Sequence, residues 1–299
     1  MKISFVITPR FSKLINYMVK TLLKARIGII GGSGFYELLE KAKPIILDTP
    51  FGKTPVIHIG KIGKRDVAFL ARHSKPGLMT ISHAVPPHKI NFRANIYGLC
   101  MLGVERILSS SAVGSLNPDC PPGTLVIPDQ ILDFTKNRIY TFYDGNTEIV
   151  IRGEKKVKGV VHIDVSQPFC PELRRILRDV CDELNVEYHF GGTYVCTEGP
   201  RYETPAEIKA FRMLGGDIVG MTVVPEAFLA RELEICYATL SVVTNWAAGI
   251  AKHRLTAEEV VIMFKRKIEI VKKVFIKAIE LIPDERQCPC KSALEKAIV

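Results

Sequence analysis

At 299 residues, 47% apolar and 24% charged, the chain can build a large α/β core in one big domain or two small ones, and its composition is that of an ordinary folded protein. No uninterrupted apolar run approaches the ~18 residues needed to cross a membrane, which argues against a membrane span. The net charge of +10 is concentrated at one end, with six Lys or Arg and no acid in residues 1–26; no basic stripe interleaved with aromatics follows, so a small anionic substrate fits better than a nucleic-acid groove.

Residues 1–25 resemble a transit peptide in lacking acids but have no small-residue cleavage site. They are read as a basic, poorly ordered extension ahead of one domain over 26–283. In chain order, apolar runs predict strands over 26–32, 67–72, 106–114 and 124–129. A helix follows Pro171, where Leu173, Ile176, Leu177, Val180, Cys181 and Leu184 keep the three-four spacing of a buried face. Further strands are predicted over 193–199, 217–222 and 236–245. Capping-box patterns at Thr204 to Glu207 and Thr256 to Glu259 start two more helices, the second running to Pro283. Strands alternating with helices predict a single α/β domain with a mostly parallel twisted sheet and flanking helices.

Eight cysteines are scattered, mostly inside apolar periodic runs, which suggests a reducing, cytoplasmic setting. The exception is Cys288-Pro289-Cys290 in the tail 284–299. Two sulfurs are too few for a zinc site, so a mobile tail with a redox-capable pair is expected in place of a metal.

Ligands of such sheets bind beyond the carboxyl ends of strands. Ser33, Arg72-His73, Ser111-Ala112, Glu198 to Glu203, Met221-Thr222 and Thr244-Asn245 all follow strand candidates. GIIGGSGFY (28–36) matches neither the dinucleotide nor the P-loop glycine pattern, so it is an anion-facing turn or a plain strand-to-helix turn. Arg72 has the forked donors that match phosphate oxygens; its alternative is a solvated strand end. His73, His83 and His88 have no metal-site spacing.

Taken together, GIIGGSG, ARH, PPHKINFRANI, SAVGSL, PGTLVIPDQ, FYDG, PFCPELR, EGPR, MTVVPE and CYATLS resemble, in order and spacing, the trimeric methylthioadenosine and purine nucleoside phosphorylases. The Cys-x-Cys tail is similar to one that is redox-linked in archaeal members. The resemblance implies a purine/uridine phosphorylase-like fold and phosphorolysis of purine nucleosides to free base and a ribose 1-phosphate. It implies no cofactor, inorganic phosphate being a substrate, and no metal. The implied partners are small molecules and further copies of the chain, in a homotrimer or a dimer of trimers.

By position, the resemblance assigns phosphate binding to Ser33, Arg72, His73, Ser111, Ala112 and Thr222. Tyr202, Glu203, Met221, Asn245 and Ala247 would bind the nucleoside, with Asn245 and His73 as catalytic residues. His162 would reach a neighbouring subunit's 5′ pocket. Phosphate attacks C1′ as the purine departs, so the protein must position the anion and stabilise charge on the leaving base. Members that use 6-aminopurines carry Asp where Asn245 stands and a second Asp where Ala247 stands. An ionised Glu203 accepts from the N1–H of a 6-oxopurine and Asn245 donates to O6 or N7, so inosine, guanosine or methylthioinosine is the expected substrate class. Methylthioadenosine is the alternative, and a nucleotide-sensing binding module a third. Glu198 is expected to brace its loop with Arg201 as partner. On the sugar side, Ala257, Val260 and Val261 suit a methylthio group and His253 a hydroxyl.

Overall fold

Continuous burial of Ile27–Gly31 makes β1 a central strand of the computed structural model, which describes residues 24–299. Residues 1–23, most of the expected extension, lie outside the described residues. Strands β2 (Glu40–Ile45), β3 (Asp48–Thr49), β4 (Gly52–Lys53), β5 (Ile57–Ile62) and β6 (Arg65–Ala71) follow, then helix α1 (Phe92–Met101). Next come β7 (Arg106–Ser115), β8 (Leu125–Ile127), β9 (Gln130–Phe134), β10 (Ile149–Ile151) and β11 (Lys155–Val157). The remainder is α2 (Pro171–Glu183), β12 (Tyr188–Phe190), β13 (Thr193–Thr197), α3 (Pro205–Met213), β14 (Ile218–Gly220), α4 (Val223–Glu232), β15 (Cys236–Trp246) and α5 (Ala257–Leu281).

Eleven strands form one mixed sheet in the order β12-β8-β15-β7-β1-β6-β5-β2, with β13, β14 and β9 branching from β7. The centre is parallel: β1 pairs with β6 and β7, and β7 with β15. The antiparallel edge, β6-β5-β2, carries its own hairpin. Each face of the sheet is covered by helices. Ile30 and Ile107 pack with Phe92, Ile96 and Leu229 of α1 and α4, while Ile29 and Leu108 pack with Leu173, Leu177, Val274 and Phe275 of α2 and α5. Each fully buried aliphatic side chain contributes roughly 1.5–3 kcal/mol by leaving water.

Every strand and helix predicted above is present. Pro171 opens α2 and Leu173, Leu177, Val180 and Cys181 are buried as expected, but Leu184 is 36% exposed because the helix ends before it. Thr204 caps α3 with both halves of the capping box, and Thr256 caps α5, which stops ahead of Pro283. The tail departs from expectation. Far from moving freely, it buries Cys288, Cys290 and Leu294, and Val161 bridges to Ile298. The tail itself offers two sulfurs, as its spacing says, but the fold brings Cys170 and Cys236 beside Cys288 and Cys290.

Candidate active site

The parallel strands end together, and register sets what they present there. Gly31 pairs with Ala71, so Arg72 follows at the mouth of β6 beside the turn Ser33–Leu38. Ser111 lies in β7, whose partner on the other side is Ser241 of β15. Ser33, Arg72, His73, Ser111 and Ala112 therefore converge on one end of three neighbouring strands. The Ser33 side chain lies outside what is described.

Arg72 is 3% exposed and paired with Glu226, which is fully buried. Its Nε and Nη2 donate to the two carboxylate oxygens at 3.0 and 2.9 Å, Nη2 also to Ser109 Oγ at 2.6 Å, and Nη1 to the Ser110 carbonyl at 2.7 Å. Of five guanidinium hydrogens, this leaves one on Nη1 for an anion. The forked grip expected of Arg72 is thus spent inward on Glu226.

His73 Nδ1 lies 2.8 Å from the Val85 carbonyl, which can only accept, so Nδ1 carries the proton and Nε2 offers a lone pair. Burial, against which the Val85 bond works, lowers its pKa to about 3, with the Arg72 charge adding to the shift. His73 is therefore neutral at physiological pH, stacked on His83 at 4.2 Å. Ser111 Oγ shares a hydrogen bond with Ser241 Oγ at 3.1 Å. Thr222 precedes α4 without using its hydroxyl as a cap. Close by, the Tyr194 hydroxyl occupies the space over Gly220, where a Cβ would come within 2.0 Å of it.

Glu203 is held by Thr197, whose hydroxyl donates to Oε1 at 2.7 Å and leaves Oε2 as acceptor. Burial raises its pKa above the usual glutamate value, and the Thr197 bond opposes that shift. The ladder links the strand that ends in Thr197 to Asn245: Cys196 pairs with Gly220, Val219 with Gly114, and Gly114 with Asn245. At Gly114 a Cβ would sit 3.1 Å from Asn245 Nδ2, so a side chain there would press on the amide.

Asn245 follows a bulge at Thr244, where β15 gains one residue against β7. In a regular strand neighbouring side chains point to opposite faces; the bulge lets Thr244 Oγ1 donate to Asn245 Oδ1 at 2.7 Å. Asn245 Nδ2 donates to the Trp246 carbonyl at 2.8 Å. That carbonyl fixes the amide's orientation and leaves one Nδ2 hydrogen to donate outward. Ala247 is buried beside it.

Met221 packs against Gly199, whose added Cβ would lie 2.6 Å from its sulfur, and so adjoins the loop carrying Tyr202. Tyr202 is 37% exposed, within electrostatic reach of Glu203 and Glu259. A cavity of about 250 Å³ beside Asn245 is lined by Trp246, Ala251, Leu255, His253 and Glu259. There His253 Nε2 meets Glu259 Oε1 at 3.2 Å. Val261 is 50% exposed. His162 is exposed, and its backbone N–H donates to the Ala297 carbonyl at 2.8 Å.

Arg201 does not pair with Glu198. It takes Glu207 in two hydrogen bonds of 2.8 and 2.7 Å, while Glu198 accepts from the Lys136 backbone at 2.7 Å and faces Arg138. Glu198 still braces a loop, but a different one. Sequence reasoning missed Glu226 and Thr197, and placed Thr244 at a strand end without its role in holding Asn245; each acts through a partner made visible by the fold, and Glu226 lies 154 residues from Arg72.

Residues 26–280 match the model of the Phosphorylase superfamily. The chain is 52% identical over 273 residues to the 6-oxopurine nucleoside phosphorylase of Pyrococcus furiosus, covering 91% of this chain and 98% of that one. It is 45% identical over 276 residues to the probable S-methyl-5′-thioinosine phosphorylase of Thermodesulfovibrio yellowstonii, covering 92% and 97%. Among solved structures, a methylthioadenosine phosphorylase from an Antarctic soil metagenomic library superposes with a TM-score of 0.82 at 36% identity, over 92% of this chain and 93% of that one. With fold, register and sequence in agreement along nearly its whole described length, the chain belongs to the Phosphorylase superfamily.

Proposed function

We propose that the protein cleaves purine nucleosides with inorganic phosphate, releasing free base and a ribose 1-phosphate, and that it prefers 6-oxopurines. The observation that carries this reading is a pair of open valences at the two residues expected to meet the base: an acceptor on Glu203 Oε2 and a single donor on Asn245 Nδ2. A 6-oxopurine presents N1–H to the first and O6 or N7 to the second. Adenine would set its N1 lone pair against the carboxylate. The P. furiosus and T. yellowstonii relatives, named for 6-oxopurine and methylthioinosine substrates, support the same base class.

In this reading phosphate sits between Arg72, His73, Ser111, Ala112 and Thr222 and attacks C1′ as the base leaves. Neutral His73 accepts a hydrogen bond at Nε2 from a protonated phosphate oxygen or a sugar hydroxyl. Asn245 donates to N7 or O6 as negative charge gathers on the purine, from an amide already aligned by Thr244 and Trp246. Tyr202 and Met221 cover the sugar. The chemistry asks for no cofactor, since phosphate is the nucleophile. A trimer, or a dimer of trimers, is the assembly that the family resemblance at His162 implies.

The second reading is methylthioadenosine phosphorolysis: Trp246, Ala251 and Leu255 give part of the neighbouring cavity, which Lys252, His253, Arg254 and Glu259 also line, an apolar wall suited to a methylthio group on either base. Phosphate-dependent base release from inosine, guanosine, adenosine, methylthioadenosine and methylthioinosine separates the two. The oxopurine nucleosides should be cleaved faster than their amino counterparts at either 5′ substituent. Equal or faster cleavage of methylthioadenosine would replace the first reading by the second, and base release without phosphate would overturn both.

A further inference from the structure

Tyr194 is wholly buried in β13, where the ladder sets it opposite Ile131 of β9 and Ile218 of β14. Its ring reaches over β14 at Gly220, and the missing side chain there makes the room: a Cβ on Gly220 would collide with the hydroxyl and with the ring carbon that bears it. The Gly220 backbone is not left-handed, so space for the ring, and not conformation, is what calls for a glycine. The hydroxyl is thereby delivered to the end of the sheet where Ser111, Thr222 and Arg72 stand. All three are near enough to bear on its ionisation, yet it has no hydrogen-bond partner.

A buried hydroxyl without a partner is uncommon, because it gives up its hydrogen bond to water and gains none in return. Packing does not ask for it, since a phenylalanine ring would fill the gap over Gly220 as completely. Burial pushes the Tyr194 pKa up, Cys196 adds to the shift, and Ser111, Thr222 and Arg72 oppose it. The phenol therefore keeps its proton at neutral pH and stands as an unused donor among three side chains assigned to phosphate.

We propose that the Tyr194 hydroxyl is a further phosphate-binding group, donating a hydrogen bond to the anion held by Arg72, Ser111 and Thr222. It rests on the reading of that cluster as the phosphate site. Donors there are scarce: Glu226, Ser109 and the Ser110 carbonyl take all but one of the Arg72 guanidinium hydrogens, and Ser111 Oγ shares its hydrogen bond with Ser241. A phenol is more acidic than an aliphatic hydroxyl and so donates more strongly to an anion. With its ring seated over Gly220, it is also in place before the anion arrives, so no side chain has to be ordered on binding.

Tyr194→Phe in the full chain removes the hydroxyl and keeps the ring. The phosphate KM should rise roughly ten- to a hundredfold, the loss expected for one hydrogen bond to a charged acceptor, while the nucleoside KM stays put. In phosphate-free buffer the variant should melt at the wild-type temperature or above it, an unpaired buried hydroxyl having been removed. Inorganic phosphate alone should raise the melting temperature of the variant less than that of wild type. Placed in a Thr222→Ala background, Tyr194→Phe should raise the phosphate KM again; no further rise would make the tyrosine a support for Thr222 and overturn the direct contact. An unchanged phosphate KM, a nucleoside KM that moves in its place, or a variant that melts well below wild type without phosphate would overturn the proposal and leave the phosphorolysis reading standing. A wild-type protein that neither needs phosphate for base release nor gains heat stability from it would overturn both.

Discussion

Glu226 holds Arg72 from behind through both carboxylate oxygens, at 3.0 and 2.9 Å, with neither side chain more than 3% exposed. Tyr237 adds a hydrogen bond to Glu226 Oε2 at 2.6 Å. Arg72 is therefore a part set rigidly in place, with one hydrogen left to give.

Removing Arg72 should do two things. Arg72→Ala should raise the KM for phosphate far more than that for nucleoside, and it should cost about 3–5 kcal/mol of stability because Glu226 is left charged and unpaired. Glu226→Gln keeps an acceptor for Nε and should raise phosphate KM with less loss of stability. Steady-state kinetics with each substrate varied, beside thermal melts, reads both effects; a nucleoside KM that moves more than the phosphate KM would remove Arg72 from the anion site.

Base selection should rest on Glu203 and Asn245 together. A buried group left unpaired costs ~1–3 kcal/mol and more when charged, so two mismatches against adenine predict about two to four powers of ten in kcat/KM. Asn245→Asp should weaken inosine use and improve adenosine use, though the carboxylate must take a proton to keep the bond to the Trp246 carbonyl. Glu203→Gln should hurt inosine more than adenosine. Equal losses on both substrates would show that neither residue reads position 6 or N1.

The pH profile supplies a separate check. Burial raises the Glu203 pKa, so as pH falls the carboxylate protonates earlier than an ordinary glutamate and the acceptor for N1–H disappears. The acid limb of kcat/KM for inosine should lie above the normal carboxylate range in wild type and be absent in Glu203→Gln. His73, already neutral down to about pH 3, contributes no limb near neutrality. A limb unchanged in Glu203→Gln would assign it elsewhere.

Stability should carry its own pH signature from Glu232. Burial lifts its pKa to about 7, against the bond it accepts from the Phe142 N–H at 2.8 Å. A carboxyl raised in the folded state favours folding below its ordinary pKa, and that contribution is lost as pH rises through about 7. Denaturant unfolding should show a decline of up to about 3 kcal/mol across that window from this group. In Glu232→Gln the decline should flatten, and an unaltered slope would count against the assignment.

Much of this architecture was legible in the sequence. Central parallel strands such as β1 and β7 are buried on both faces and read as unbroken apolar runs, and Thr204 and Thr256 announce α3 and α5 by cap chemistry alone. The edge strand β2 escaped because EKAKPI has no fully buried residue and gives no apolar run. The short β10 and β11 pair escaped for want of length. Residues proposed to touch a ligand follow strand ends and could be placed by position. Of the residues that hold those in place, Glu226 could not, because a contact 154 residues away leaves no spacing to read, and Thr197, only six residues before Glu203, could not because one hydroxyl at a strand end does not announce its partner. The sulfur cluster failed for the same reason: its members are split between a helix cap, a strand start and the tail.

The bulge at Thr244 bears on how such a pocket could be moved to another protein. Asn245 owes its orientation to a hydroxyl one residue before it and a carbonyl one residue after, an arrangement that an even ladder would not allow. Grafting the asparagine alone onto a straight strand would transplant a freely rotating amide that offers oxygen as readily as nitrogen. The portable unit is the tripeptide Thr244 to Trp246 with its extra residue, so a designer who wants this selectivity must copy a backbone defect along with a side chain.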